Sequence, residues 1–215
     1  MRIACLHTAD SNAVVFETAA AGQPVMLTHT VRVELLREAE TAGGLTPDIS
    51  ARTQAVLRAL AHGADGVLLT CSTLGPAADL LGGDAGSPTP VLRVDAALAK
   101  EAVRQAGQGN LVVLYAVETT REPTQRLFEA VPGADPGRIT YRLVEGAWVA
   151  FRAGDTEGYF RSIATAADTA FSEGAAVVAL AQASMAGAVA HARKGVPLTS
   201  PAAGLAAMIA LAGQS

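Results

Sequence analysis

The chain is poor in aromatic residues, which make up 4% of its 215 positions, and in charge, with only 17% Asp, Glu, Lys and Arg. A core with so few rings must be built from small aliphatic side chains packed closely, and alanine fills much of the 50% apolar share. That apolar share excludes a disordered chain. Lysine is nearly absent: all but Lys100 and Lys194 of the 16 basic residues are arginine. No basic cluster tracks a phosphate backbone and the net charge is −4, so nucleic acid is not expected as a partner. No apolar run approaches the roughly 18 residues of a membrane helix, so no membrane partner is expected either. The first ten residues read as a strand entering a loop rather than as a signal peptide, which makes a cytoplasmic protein the expectation. Two cysteines, Cys5 and Cys71, are too few for a disulfide framework. His7, His29, His62 and His191 show no metal-ligand spacing, so no metal site is expected.

What is present is an alternation of strand-length apolar runs with stretches of helical period, the pattern of an α/β protein with parallel strands. Strands are expected at 3–6, 66–70, 91–94, 111–116, 139–143 and 177–181. Thr46-Pro47 offers an N-cap with proline at the first helical position, and Val56, Leu57 and Leu60 then share a face. A second helix opens at Thr156, carries Tyr159, Phe160, Ile163, Ala167 and Phe171, and ends before Gly174. The Gly-rich stretch at 82–88 lacks the Lys-Ser/Thr ending of a phosphate loop and reads as a plain connection.

The most informative feature is an internal repeat. Residues 6–12 (LHTADSN) align with 114–120 (LYAVETT), acid on acid and hydroxyl on hydroxyl. Residues 63–73 (GADGVLLTCST) align with 174–184 (GAAVVALAQAS), and 90–92 with 197–199, all at nearly the same offset. Three segments in one order point to a duplicated unit. Two pseudo-symmetric domains are therefore expected, each a small parallel sheet flanked by helices: 1–95 plus 200–215, and 96–199. The segment from about Ser200 is expected to form a helix returning to the first.

Each half has two turns just after strands, where open parallel sheets bind ligands. They are Asp10-Ser11-Asn12, Cys71-Ser72-Thr73, Glu118-Thr119-Thr120 and Gln182-Ala183-Ser184. Facing halves would bring all four to one active-site cleft between them. Small donors and free backbone N–H groups suit a small carboxylate, the expected partner.

These residues resemble the cofactor-independent Asp/Glu racemase superfamily, which includes hydantoin racemase, maleate isomerase and arylmalonate decarboxylase. The resemblance covers the whole chain. It rests on Asp10-Ser11 after the first strand, on the Cys71-Ser72-Thr73 turn preceded by Gly-Ala-Asp and an apolar strand, and on Thr120 in a partly kept second-half turn. It implies an isomerase without cofactor, a homodimer, Cys71 as catalytic thiolate and Asp10 assisting its proton transfers. One departure matters. Gln182 stands where family racemases carry a second cysteine, and Ser184 stands where they carry an assisting His. An amide neither gives nor takes a proton near neutrality, so two-thiol racemisation is not available.

Cys71 follows a strand at an expected helix start among Thr70, Ser72 and Thr73, surroundings that favour thiolate over thiol. Cys5, inside an apolar strand, reads as core. A single active thiol could add to an activated double bond and leave after rotation, or protonate an enolate after decarboxylation. It could also share racemisation with a non-thiol base, for which Glu118, the repeat-mate of Asp10, is the candidate. Ser11, Asn12, Ser72, Thr73, Thr119, Thr120, Gln182 and Ser184 are the expected substrate-binding residues. His7 and Tyr115 are expected to pack beneath the cleft acids, and His191 and Lys194 to lie on an exposed helix face. The role of Ser200, after the last short strand, is left open. Arg93 could meet a substrate carboxylate or pair with Asp95. Two other classes compete. Ser184 between strand and helix loosely resembles a nucleophile elbow of a serine hydrolase, without the flanking glycines an elbow needs. A decayed, non-catalytic carboxylate binder is the other.

Overall fold

Residues 1–81 and 89–212 are described by the structure, a computed structural model; the connection expected at 82–88 lies outside them. The first unit comprises Met1–Ala97 and Pro201–Ser215, the second Leu98–Ser200. The first unit runs β1 (Arg2–His7), α1 (Ser11–Ala20), β2 (Met26–Val31), α2 (Val33–Thr41), α3 (Pro47–Ala61), β3 (Gly66–Leu69), α4 (Gly75–Asp79) and β4 (Val91–Arg93). Helix α5 (Val94–Ala106) carries the chain into the second unit. There follow β5 (Asn110–Tyr115), a 3-10 turn at Glu118–Thr120, α6 (Arg121–Glu129), β6 (Ile139–Leu143), α7 (Ala147–Arg152), α8 (Thr156–Ser172) and β7 (Ala175–Leu180). A 3-10 segment at Ala183–His191 and β8 (Leu198–Thr199) complete it, and α9 (Ser200–Ala212) belongs almost wholly to the first unit.

Each unit holds one four-stranded, all-parallel sheet, ordered β2-β1-β3-β4 in the first and β6-β5-β7-β8 in the second. The second order is the first repeated, so the duplication is one of topology as well as of sequence. Central strands of a parallel sheet are covered on both faces, which is why Val67–Leu69 of β3, Leu111–Leu114 of β5 and Val177–Leu180 of β7 are continuous aliphatic runs.

Both expected helices form, α3 with its expected cap and α8 with a cap one residue earlier than the expected opening. The Thr46 hydroxyl accepts the Ile49 N–H at 3.3 Å and Pro47 occupies the first turn of α3. Helix α8 begins at Thr156 with Asp155 as its cap, accepting the Gly158 N–H at 2.9 Å, and buries Tyr159, Ile163, Ala167 and Ala170. In the first unit one sheet face packs Ala4, Leu6, Val67 and Leu69 against Leu35, Ile49 and Leu57. In the second, Val112, Leu114, Val178 and Leu180 pack against Tyr159, Ile163 and Met185. Helix α9 lies so close to β3 that a Cβ on Gly66 would overlap the Met208 sulfur. Strand β2 is absent from the sequence-based expectation. Among the described residues no helix is long and apolar enough to cross a membrane.

Candidate active site

From β1 the chain crosses to β2 on one side, and the later strand β3 lies on the other side of β1. The carboxyl ends of β1 and β3 therefore flank the point where strand order reverses, the place where α/β sheets bind ligands. Cys71 sits there, two residues past β3 and 8% exposed. Its sulfur is bonded by the Thr8 hydroxyl, just past β1, and by the backbone N–H groups of Leu74 and Thr73. These amides belong to the turn that precedes α4. Cys71 thus stands one turn ahead of the helix instead of at its start.

Burial pushes the Cys71 thiol up; the Thr8, Leu74 and Thr73 donors pull the other way, and the nearby Asp95 carboxylate adds to the rise. The free thiol is thus favoured over thiolate, opposite to the expectation from its polar flanks, because burial outweighs the donors.

The group that reaches the sulfur from β1 is Thr8, two residues before Asp10. Asp10 is exposed at the cap of α1, with no side-chain bond to that helix. Ser11 is exposed and Asn12 half-buried in the first turn of α1, the Asn12 N–H donating to Ala9 O at 3.2 Å. Ser72 and Thr73 are exposed. Thr8 and Asp95 are the neighbours of Cys71 that sequence reasoning missed. Thr8 lies in the quoted first-strand motif, where the hydroxyl was the available signal.

Arg93 is bound on both sides. Its Nε and Nη2 donate to the two Asp95 oxygens, each at 2.8 Å, and its Nη1 donates to Asp79 at 2.7 Å. Of the two roles considered for it, the structural pair is the one observed.

The second unit repeats the switch point at β5 and β7. Gln182 half-buries its amide there, and its oxygen accepts the Ala116 N–H at 2.7 Å. Ser184 meets the Tyr159 hydroxyl at 3.0 Å. Glu118 is exposed, accepts from the Tyr115 hydroxyl at 3.2 Å and lies 3.7 Å from Arg121. Thr119 is exposed; the Thr120 hydroxyl donates to Val117 O at 2.6 Å. Tyr115 is buried at the end of β5. His191 is half-buried against the Phe160 ring, and Lys194 lies in a bend past the 3-10 segment; neither is on an exposed helix face. Ser200 is buried at the start of α9.

A second cluster lies in the first unit. The parallel register sets Cys5 opposite His29, and His7 two residues on. One ligand atom from each lies within 4.8 Å of the others. Sequence spacing hid this grouping because it depends on β2. Burial, with the Glu17 charge, pushes the Cys5 thiol up to about 12. Burial and neighbouring His29 bring His7 down to about 4.

The profile of the Asp/Glu/hydantoin racemase family matches residues 11–209, and the chain belongs to that family. The fold agrees with solved racemase structures. Allantoin racemase from Pseudomonas fluorescens is 18% identical, with a TM-score of 0.64 over 100% of this chain and 92% of that one. Aspartate racemase from Picrophilus torridus is 14% identical, with a TM-score of 0.65 over 99% and 94%. The glutamate racemase isoform RacE1 from Bacillus anthracis is 10% identical, with a TM-score of 0.66 over 99% and 81%. No curated protein matches in sequence.

Proposed function

We propose that the protein is a cofactor-independent isomerase that moves a proton at a carbon next to a carboxylate or carbonyl, with Cys71 as its base. The observation that carries this reading is the Cys71 sulfur at the switch point, bonded by Thr8 and two backbone N–H groups. These donors stabilise the thiolate that forms when the thiol gives up its proton. A thiol held up by burial is also a stronger base once ionised, which suits an α-carbon proton. Ser11, Asn12, Ser72 and Thr73 offer hydroxyl and amide donors to the substrate carboxylate, with Asp10 beside them. A pyridoxal cofactor would need a lysine, and both Lys100 and Lys194 are exposed.

Proton return cannot come from Gln182, whose amide does not ionise and whose oxygen is bonded to the Ala116 N–H. Glu118 is the proposed partner, with Thr119, Thr120, Ser184 and the Gln182 amide nitrogen as further substrate contacts. The single thiol also favours a second reading: Cys71 thiolate adds to the double bond of a cis-dicarboxylate, the resulting single bond rotates, and the thiolate leaves.

The test is turnover of a panel of amino acids, hydantoins, allantoin, maleate and arylmalonates, followed by polarimetry and NMR. Wild type and Cys71→Ala are compared. Loss of optical rotation that requires Cys71 supports the first reading, and fumarate from maleate the second. Turnover equal in both proteins contradicts each.

A further inference from the structure

Cys5 and His7 project from β1 on the sheet face opposite Ala4 and Leu6, since side chains alternate along a strand. The β1–β2 register brings His29 beside them. Each imidazole is held at its far nitrogen by an acceptor. His7 Nδ1 lies 2.8 Å from Thr70 Oγ1, whose one proton is donated to Leu6 O at 3.0 Å. His29 Nε2 lies 3.0 Å from a Glu17 oxygen, which as a carboxylate only accepts. Both far nitrogens therefore donate.

The near nitrogens, His7 Nε2 and His29 Nδ1, face each other at 2.8 Å. With ring centroids 5.1 Å apart and planes 26° apart, the rings meet nearly edge to edge. Two lone pairs aimed at one point require a cation between them. A proton would satisfy the imidazoles but would leave the Cys5 thiol a bystander.

We propose that Cys5, His7 and His29 bind one Zn²⁺ ion. A thiolate with two imidazoles is a donor set for zinc rather than for Mg²⁺ or Ca²⁺, and water completes the tetrahedron. On binding, the Cys5 thiol proton and the proton shared by the imidazoles both leave to solvent. Zn²⁺ with one thiolate carries the same net charge as the proton it replaces, so the buried site gains no charge. Zinc–nitrogen bonds of about 2.0–2.1 Å at a tetrahedral angle ask the two nitrogens to part by about half an ångström and the two rings to turn until their lone pairs converge on the ion. Thr70 and Glu17 already hold the far nitrogens as acceptors do behind metal-bound histidines. The site is independent of the Cys71 reading.

The test is titration of the full-length, chelator-treated protein with Co²⁺ and then Zn²⁺. One equivalent of Co²⁺ should give a thiolate-to-cobalt charge-transfer band that Zn²⁺ abolishes. The band should persist in Cys71→Ala and disappear in His29→Gln, a change on an edge strand whose folding is checked by circular dichroism. Glu17→Gln, at an exposed position, should weaken binding about 10- to 100-fold. A missing band, a band lost in Cys71→Ala, or one surviving His29→Gln would overturn the proposal. None of these readouts depends on isomerase activity.

Discussion

The side-chain oxygen of Gln182 accepts the Ala116 N–H at 2.7 Å, tying the turn after β7 to the end of β5. Gln182 is thus a structural tie between two strands. Ala116 is buried, so Gln182→Ala strands its N–H and should cost about 1–3 kcal/mol. Gln182→Glu keeps the acceptor and should stay close to wild type. Urea denaturation of both variants at neutral pH measures the difference.

Cys71 should behave as a thiol with a raised pKa. Its alkylation by iodoacetamide should keep accelerating as pH rises past the ordinary thiol range, because burial and Asp95 hold the thiolate back. Thr8→Val removes a donor to the thiolate and should slow alkylation about 10- to 100-fold at fixed pH, since a hydrogen bond to a charged group contributes about 1.5–3 kcal/mol. The same shift sets a sign for stability. The folded protein binds the thiol proton more tightly than the unfolded chain does. This contribution is therefore complete below the ordinary thiol pKa and is lost as pH rises through the folded value. Cys71→Ala should show a shallower alkaline loss of stability than wild type in urea melts across that range.

Arg93 and Gly75 should be coupled. A Cβ on Gly75 would overlap the Arg93 guanidinium, which Asp95 and Asp79 hold from two sides. Gly75→Ala should destabilise by about 1–3 kcal/mol through overpacking. Arg93→Ala strands the buried Asp95 and should cost about 3 kcal/mol. Once Arg93 is removed the overlap disappears, so the double variant should lose less than the two single losses together. Thermal melts of the three variants measure the coupling.

Ser184 should not act as a nucleophile. Its hydroxyl meets the Tyr159 hydroxyl instead of an imidazole, and a serine needs an adjacent base to attack. Fluorophosphonate labelling should leave Ser184 unmodified, and Ser184→Ala should cost about 1 kcal/mol for the lost hydrogen bond. Labelling detected by mass spectrometry would revive the hydrolase reading.

The parallel strands buried in the sheet centres were legible because two-sided burial demands unbroken aliphatic runs, as in Val67–Leu69 and Leu111–Leu114. Strand β2 was not. As an edge strand it leaves Met26 and Thr28 exposed and mixes Thr and His into its run, so it lacks the signal of a buried parallel strand. Missing β2 also hid the approach of His29 to Cys5, since a register between strands is not a spacing along the chain. In the candidate site the Cys71 turn was visible from its residues. The balance between burial and donors at the sulfur was not, because it depends on how deep the turn lies. Thr8, rather than Asp10, as the side chain on that sulfur likewise needed the direction of one bond at the end of β1.

The most direct test of Cys71 as a base is hydrogen exchange at the substrate α-carbon. With a substrate from the panel in deuterated buffer, NMR should show α-deuterium entering with wild type and with Glu118→Gln. Inversion should be slowed in Glu118→Gln, and exchange should be absent with Cys71→Ala. Exchange in Cys71→Ala at the wild-type rate would contradict the account.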